Sequence, residues 1–205
     1  MEPAVLIPVK AFHAAKARLS PTVAAADRAA LARWMAGRVV EAVRPLPTFV
    51  ACDDDAVAMW AESLGAMVLW GPGLGLNGAV DAGVETIAGK GFDDVIISHG
   101  DLPIPRSLPA LARPGGIVIV PDRRLDGTNV IVRPCAIELR ASYGRGSFRH
   151  HLDRALATGR QVTVRHDTEL SLDLDTVADL THPLIHPLVS GALGPVAITV
   201  TNVAR

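Results

Sequence analysis

The sequence predicts a single-domain α/β fold with a largely parallel central sheet, and three observations predict it. Short apolar runs alternate with helical stretches along the chain, a pattern that calls for right-handed crossovers between parallel strands. Several of those runs, VLIPV, VIIS and GIVIV, are apolar throughout, as strands covered on both faces are. The chain has 205 residues, 49% hydrophobic and 20% charged. That suits one domain with a substantial core and argues against disorder.

The elements follow in order. Ala4 to Val9 reads as a buried first strand. Ala24 to Val43 reads as a helix, because Leu31, Trp34, Met35, Val39 and Val43 share one face at three- to four-residue spacing. Pro21 and Thr22 mark its start, and Pro45 and Pro47 end it. Thr48 to Cys52 is a second strand, Asp55 to Leu64 a second helix and Ala66 to Trp70 a third strand. A glycine-rich turn leads into a helix from about Asn77 to Ile87. Strands follow at Asp94 to His99, Gly116 to Val120 and Asn129 to Arg133. Ser147 reads as the cap of a helix reaching Thr158, Gln161 to His166 as a strand, and Thr176 to Leu180 as a last helical piece. Trp34, Trp60 and Trp70 read as core or half-buried packing, and His150 and His151 as surface positions on their helix.

Composition removes some classes of function. The formal net charge is −1, with no long run of one sign, so bulk charge makes no case for nucleic acid or an anionic membrane. No apolar run approaches the roughly 20 residues that span a bilayer, and the start, MEPAVLIPVK, lacks the pattern of a secretion signal. A cytoplasmic setting is expected. Cys52 and Cys135, the only cysteines, form no CxxC pair and read as buried thiols.

In a parallel sheet, ligands sit beyond the carboxyl ends of the strands, so the loops there carry the candidates. The first is PVKAFHAAKARLS, with Lys10, Lys16 and Arg18 inside nine residues. A triphosphate needs such local charge, although a solvated basic loop looks the same. The second is SHGDLP, in which Asp101 follows a buried strand and projects a carboxylate toward the crevice. Magnesium binds through one or two such oxygens plus substrate phosphates; the alternative is a turn aspartate bonded to its own backbone. The third is LSLDLDTVADL. If Leu172 to Asp175 is extended, Asp173 and Asp175 point to one face and repel unless a cation joins them. Alternatively Asp175 or Thr176 caps the next helix. The fourth pairs VPDRRLDGTN with YGRGSFRHH: glycines let backbone N–H groups approach an anion, and Ser147 and Thr128 add hydroxyls. A hairpin turn and a plain helix cap would give the same letters. Arg123 and Arg124 suit either substrate phosphate or solvent.

Taken together, LIPVKAFHAAKARLSP, GLNGAV, SHGDLP, VPDRRLDGTN, YGRGSFRHHLDRA and LSLDLDTVADL, in that order over residues 4 to 180, resemble the phospholactate and phosphoenolpyruvate guanylyltransferases. Those enzymes act in making the deazaflavin coenzyme F-420. The resemblance implies a Rossmann-like nucleotidyltransferase of the glycosyltransferase-A-like group. It implies GTP and a small phosphorylated acid as substrates, phosphoenolpyruvate or 2-phospho-L-lactate, with Mg2+ as cofactor. By motif it makes Asp101, Asp173 and Asp175 metal ligands and Thr128, Gly144 and Ser147 the acid site. Lys10, Lys16 and Arg18 would grip the triphosphate, with Asn77 near the nucleoside and Asp53 at base or ribose. The motifs do not separate the two acids; phosphoenolpyruvate is expected first.

Three rivals remain. A molybdopterin-type nucleotidyltransferase opens with a glycine-rich loop, where this chain has PVKAFHAAK. A glycosyltransferase wants an acidic pair near the fourth strand, where SHGDLP has one acid. A binding module has no need of carboxylates in two loops aimed at one crevice. Residues 181 to 205 belong to no motif; Val196 to Val203 reads as an added strand or a subunit contact.

Overall fold

The structure, a computed structural model, describes residues 3–112 and 116–193. Seven strands form one sheet: β1 (Ala4–Pro8), β2 (Thr48–Cys52), β3 (Met67–Trp70), β4 (Asp94–Ser98), β5 (Ile117–Pro121), β6 (Thr128–Pro134) and β7 (Val162–Val164). Their order across the sheet is β3-β2-β1-β4-β6-β5-β7. β1 pairs in parallel with β2 and β4, β2 with β3, and β5 with β7. Only β6 runs against its neighbours. The cause is local: β5 and β6 are joined by a hairpin, not a crossover helix. At its corner Asp122 accepts the backbone N–H groups of Arg124 at 2.9 Å and Asp126 at 3.0 Å.

Helices cover both faces: α1 (Ala25–Ala42), α2 (Asp55–Ser63), α3 (Gly75–Gly89), α4 (Ser147–Ala157), and the short α5 (Val177–Leu180) and α6 (His186–Leu193). Strand alternation sorts the core into two layers. Val5, Ile7, Val50 and Ile96 pack on one face with Ala36, Val39 and Val40 of α1 and Val57 and Trp60 of α2. Leu6, Phe49, Val95 and Ile97 pack on the other with Val80, Val84 and Ile87 of α3. α3 lies so close to β1 that a Cβ on Gly83 would meet the Leu6 side chain at 2.8 Å, so a larger residue here would have to displace that leucine.

A third cluster places the late aspartates. Leu31 and Met35, on a further face of α1, pack with Leu19, Ile104, Leu172, Leu174, Leu180, Ile185 and Val189. Part of the stretch after 180 thus clamps the 170–180 segment onto α1. The possible strand at Val196 to Val203 lies outside the described residues.

Several expectations need correction. Helix α1 starts one residue later than read, with Ala24 in its cap position. Gly146, left-handed at φ 71°, takes that position before α4, because the Ser147 hydroxyl is used elsewhere. Trp70 ends the edge strand β3 and is 51% exposed. His151 is fully buried, since it shares the inward stripe of α4 with Ser147 and Ala155. Cys52 is buried as expected, but Cys135 only half so.

From β1 the chain steps outward to β2 and β3, then returns to β4 on the opposite side of β1. The sheet therefore changes direction between β1 and β4, where an open α/β sheet binds its ligand.

Candidate active site

The loop after β1 is tied down at two points. Phe12 packs edge-on against Trp60, ring centroids 5.2 Å apart, and Leu19 is fully buried. Two single turns of 3-10 helix, Phe12–Ala14 and Ala17–Leu19, are joined through Lys16, which is left-handed at φ 54°. A non-glycine residue in that region is uncommon and persists where its surroundings hold it. Here the holding contacts are ionic: Lys16 Nζ donates to Asp101 Oδ2 at 2.6 Å and to Asp175 Oδ1 at 2.8 Å. Its side chain is 6% exposed.

The three groups come from different parts of the chain. Asp101 follows β4. Asp175 follows Leu172 and Leu174, whose burial in the third cluster turns Asp173 and Asp175 to the other side. Asp179 then fixes the backbone there. Buried at 1% exposure, it accepts the N–H groups of Asp175 at 3.1 Å and Thr176 at 2.7 Å. Arg123 and Arg124 both pair with its other oxygen, which accounts for the two arginines. Thr176, not Asp175, takes the cap position of α5, so Asp175 is free to meet Lys16. The Thr-x-x-Asp spacing of Thr176 and Asp179 is a capping-box signature legible in the sequence.

Electrostatics bind the cluster together. Burial opposes charge on Lys16, but Asp101 and Asp175 outweigh it and the ammonium pKa is raised. Burial likewise pushes Asp101 up, yet Lys16 and then His99 bring its pKa below the ordinary carboxylate value. Asp173 has no such partner among the described residues. Burial first, then the charges of Asp101 and Asp175, push it up to about 7.

A cleft of about 670 Å³ opens over this cluster, lined by Lys10, Lys16, Arg18, Asp53, Asp101 and Asp175 among others. That volume suits a nucleotide-sized ligand. The predicted triphosphate cations therefore share one cavity with Asp101 and Asp175. Lys10 and Arg18 are exposed, and Arg18 stands 3.8 Å from Asp175 Oδ2. Asn77 is absent from that lining. Its side chain takes the Tyr143 N–H at 2.6 Å and donates to the Tyr143 carbonyl at 3.2 Å, pinning the glycine turn to α3.

Thr128, Gly144 and Ser147 gather beside β4 rather than in that cleft. Because β6 is antiparallel, its first residues meet the carboxyl end of β4, and His99 N–H donates to the Asn129 carbonyl at 3.0 Å. Thr128 N–H donates to Ser147 Oγ at 3.0 Å, and Thr128 Oγ1 lies 3.0 Å from His151 Nδ1. Gly144, at φ 129°, turns the chain as other residues rarely do. The Tyr143 ring stands between His99 and His151, 5.0 and 4.7 Å from them. His151 and Tyr143 were missed as site residues. The four-residue spacing of Ser147, His151 and Ala155 on α4 was the available signal.

The residues fit a magnesium ion. Asp101 Oδ1 is buried without a hydrogen-bond partner among the described residues, and Asp101 and Asp175 bring carboxylates, the hard-oxygen ligands magnesium prefers, into the cleft wall, whereas Asp173 is absent from that lining. No set of three or more His, Cys, Asp or Glu among the described residues closes into a ready-made cage. Magnesium does not require one, since substrate phosphates complete its shell.

Comparison with known proteins identifies the family. The family model described as guanylyl transferase CofC like matches residues 3–191. A phosphoenolpyruvate guanylyltransferase of Rubrobacter xylanophilus is 35% identical over 184 residues, 85% of this chain and 90% of that protein. A 2-phospho-L-lactate guanylyltransferase of Methanothermobacter thermautotrophicus is 33% identical over 196 residues, 91% and 86% of the two chains. Among solved structures, one assigned as a nucleotide-diphospho-sugar transferase, from Desulfovibrio desulfuricans G20, superposes with a TM-score of 0.73. It is 18% identical and covers 93% of this chain and 96% of its own. A nucleotidyl transferase from Methanothermobacter does so at 0.65, with 12% identity and coverage of 93% and 99%. These two likenesses concern the fold alone. The match over residues 3–191, with relatives above 30% identity across most of their length, makes this chain a member of the CofC-like guanylyl transferase family.

Proposed function

We propose that this chain transfers GMP from GTP to phosphoenolpyruvate or 2-phospho-L-lactate, releasing pyrophosphate, as a step toward the deazaflavin coenzyme F-420. The observation that carries this reading is the Lys16 ammonium held between Asp101 and Asp175 in the wall of a nucleotide-sized cleft. The names of the relatives supply the two acids.

In this reading a phosphate oxygen of the acid attacks the α-phosphorus of GTP. A new P–O–P bond forms, the bond from the α-phosphorus to the bridging oxygen breaks, and the electron pair leaves with pyrophosphate. The attacking phosphate is already ionised at neutral pH, so no strong base is required. The obstacle is repulsion between two polyanions, and positioning with charge neutralisation is the remedy. Lys10, Lys16 and Arg18 hold the phosphates of GTP and steady the leaving pyrophosphate. Thr128, Gly144 and Ser147 hold the acid beside them. Asp101, Asp173 and Asp175 would hold magnesium, whose contribution is Lewis-acid neutralisation of the phosphoryl oxygens.

The test crosses GTP, CTP, ATP and UTP with phosphoenolpyruvate, 2-phospho-L-lactate and 3-phosphoglycerate in the presence of magnesium, following pyrophosphate. Release with GTP and one of the first two acids is expected. Folded protein that binds GTP but releases pyrophosphate with no pair would refute the reading.

A further inference from the structure

Both ring nitrogens of His151 are engaged, and their partners fix where its proton lies. Nε2 stands 2.9 Å from the backbone nitrogen of Ser142. A backbone N–H only donates, so Nε2 accepts and carries no proton. The neutral ring then has its proton on Nδ1, 3.0 Å from Thr128 Oγ1, and the threonine oxygen accepts it. A hydroxyl that accepts still has its own proton to give. Ser147 is in the same position, because its Oγ accepts the Thr128 N–H at 3.0 Å. Among the described residues neither hydroxyl donates to a protein acceptor, although Thr128 is 1% and Ser147 2% exposed. Buried donors normally find acceptors, and two unspent ones side by side suit an anion from outside.

We propose that His151 is a positioning residue for the acid substrate: by donating from Nδ1 it commits the Thr128 hydroxyl to donate onward, so that Thr128 and Ser147 present paired O–H donors to one anion. The identity of that anion rests on the guanylyltransferase reading above. A ring free to use the other tautomer would let the threonine proton turn back toward Nδ1, and one of the two donors would be lost. Burial, then the nearby charges of His99, Arg154 and His150, lower His151 to about 4, so the arrangement persists through neutral pH. The Tyr143 ring, 4.7 Å from that of His151, closes one side of the imidazole.

The first test needs no turnover. In wild-type protein labelled with 15N-histidine, imidazole NMR should find His151 as the Nδ1–H tautomer from about pH 5.5 to 8, the signal vanishing in H151N. An Nε2–H tautomer, or titration in the ordinary histidine range, would overturn the inference. The second test is binding of phosphoenolpyruvate with GTP and magnesium present. H151L should weaken it about 10-fold and leave the KM for GTP within about twofold. H151N, whose amide NH2 can take the place of Nδ1–H, should restore most of the loss. In a Thr128→Val background H151L should add less than about twofold, because the hydroxyl it acts through is gone. An equal loss in that background, or no restoration by H151N, assigns His151 to packing and overturns the proposal. Should H151L fail to fold, the wild-type tautomer and H151N decide it. Wild type with the expected tautomer but no binding of phosphoenolpyruvate or 2-phospho-L-lactate refutes the acid reading. The other tautomer with normal turnover refutes the role of His151 alone.

Discussion

Lys16 and Asp101, 85 residues apart in the chain, meet at 2.6 Å where the sheet changes direction. One comes from the loop after β1 and the other from the loop after β4. Their meeting turns two weak loop signals into one site, because the lysine is buried and held in the left-handed region.

Asp101→Asn keeps the shape and removes the charge. It should lower kcat by about 10²- to 10³-fold or more while the circular dichroism spectrum stays unchanged. Unaltered pyrophosphate release from such a folded variant would rule out the proposed metal role of Asp101.

Lys16→Ala deletes the cation between Asp101 and Asp175. The KM for GTP should rise about 10-fold or more, and the magnesium concentration needed for half-maximal rate should fall, since two carboxylates lose the ammonium that competes with a metal for them. Steady-state kinetics over a GTP and magnesium grid reads both. An unchanged GTP requirement would take this lysine out of the nucleotide site.

Asp173 gives a pH signature. Its carboxyl sits at about 7 in the folded chain against 3.8 for the free group. The native state therefore holds a proton that the unfolded state has lost. Its contribution to stability is full below about pH 4 and is lost as pH rises through about 7. Asp173→Asn, neutral throughout, should become progressively more stable than wild type across that window in metal-free buffer. The gap should be on the order of 1 kcal/mol or more by pH 8. Magnesium should stabilise wild type and not the variant. A gap that does not change with pH in thermal melts would contradict the assignment.

Asn77 discriminates two roles. The resemblance implies a place near the nucleoside, whereas its amide is spent on the Tyr143 backbone. Asn77→Ala should therefore raise the KM for the acid severalfold by loosening the 141–146 turn, with little change for GTP. A change confined to GTP would support the nucleoside role.

The strands and their order of use were legible because apolar runs such as VIIS and GIVIV are short, rich in β-branched residues and alternate with helical stretches. β2 runs from Thr48 to Cys52 as read, and the other bounds shift by only a few residues. The reversed direction of β6 was less visible, since it depends on a turn in which Asp122 takes two backbone N–H groups. The carboxylates and the cations of the first loop were legible as residue types beyond strand ends. Their convergence on Lys16 was not, because 85 and 159 residues separate it from Asp101 and Asp175. His151 was misread because a histidine beside a glycine turn looks solvent-facing, and only its four-residue spacing from Ser147 and Ala155 places it inside. Trp70 was misread in the opposite sense, since an edge strand leaves its last large side chain uncovered.

The central claim is that this chain joins a phosphorylated acid to GTP, and 31P NMR of the reaction tests it most directly. With GTP, magnesium and phosphoenolpyruvate or 2-phospho-L-lactate, the account predicts a mixed diphosphate with two mutually coupled phosphorus signals, together with one equivalent of pyrophosphate. GTP left intact with both acids by folded, GTP-binding protein, or GTP split only to GDP and phosphate, would contradict it.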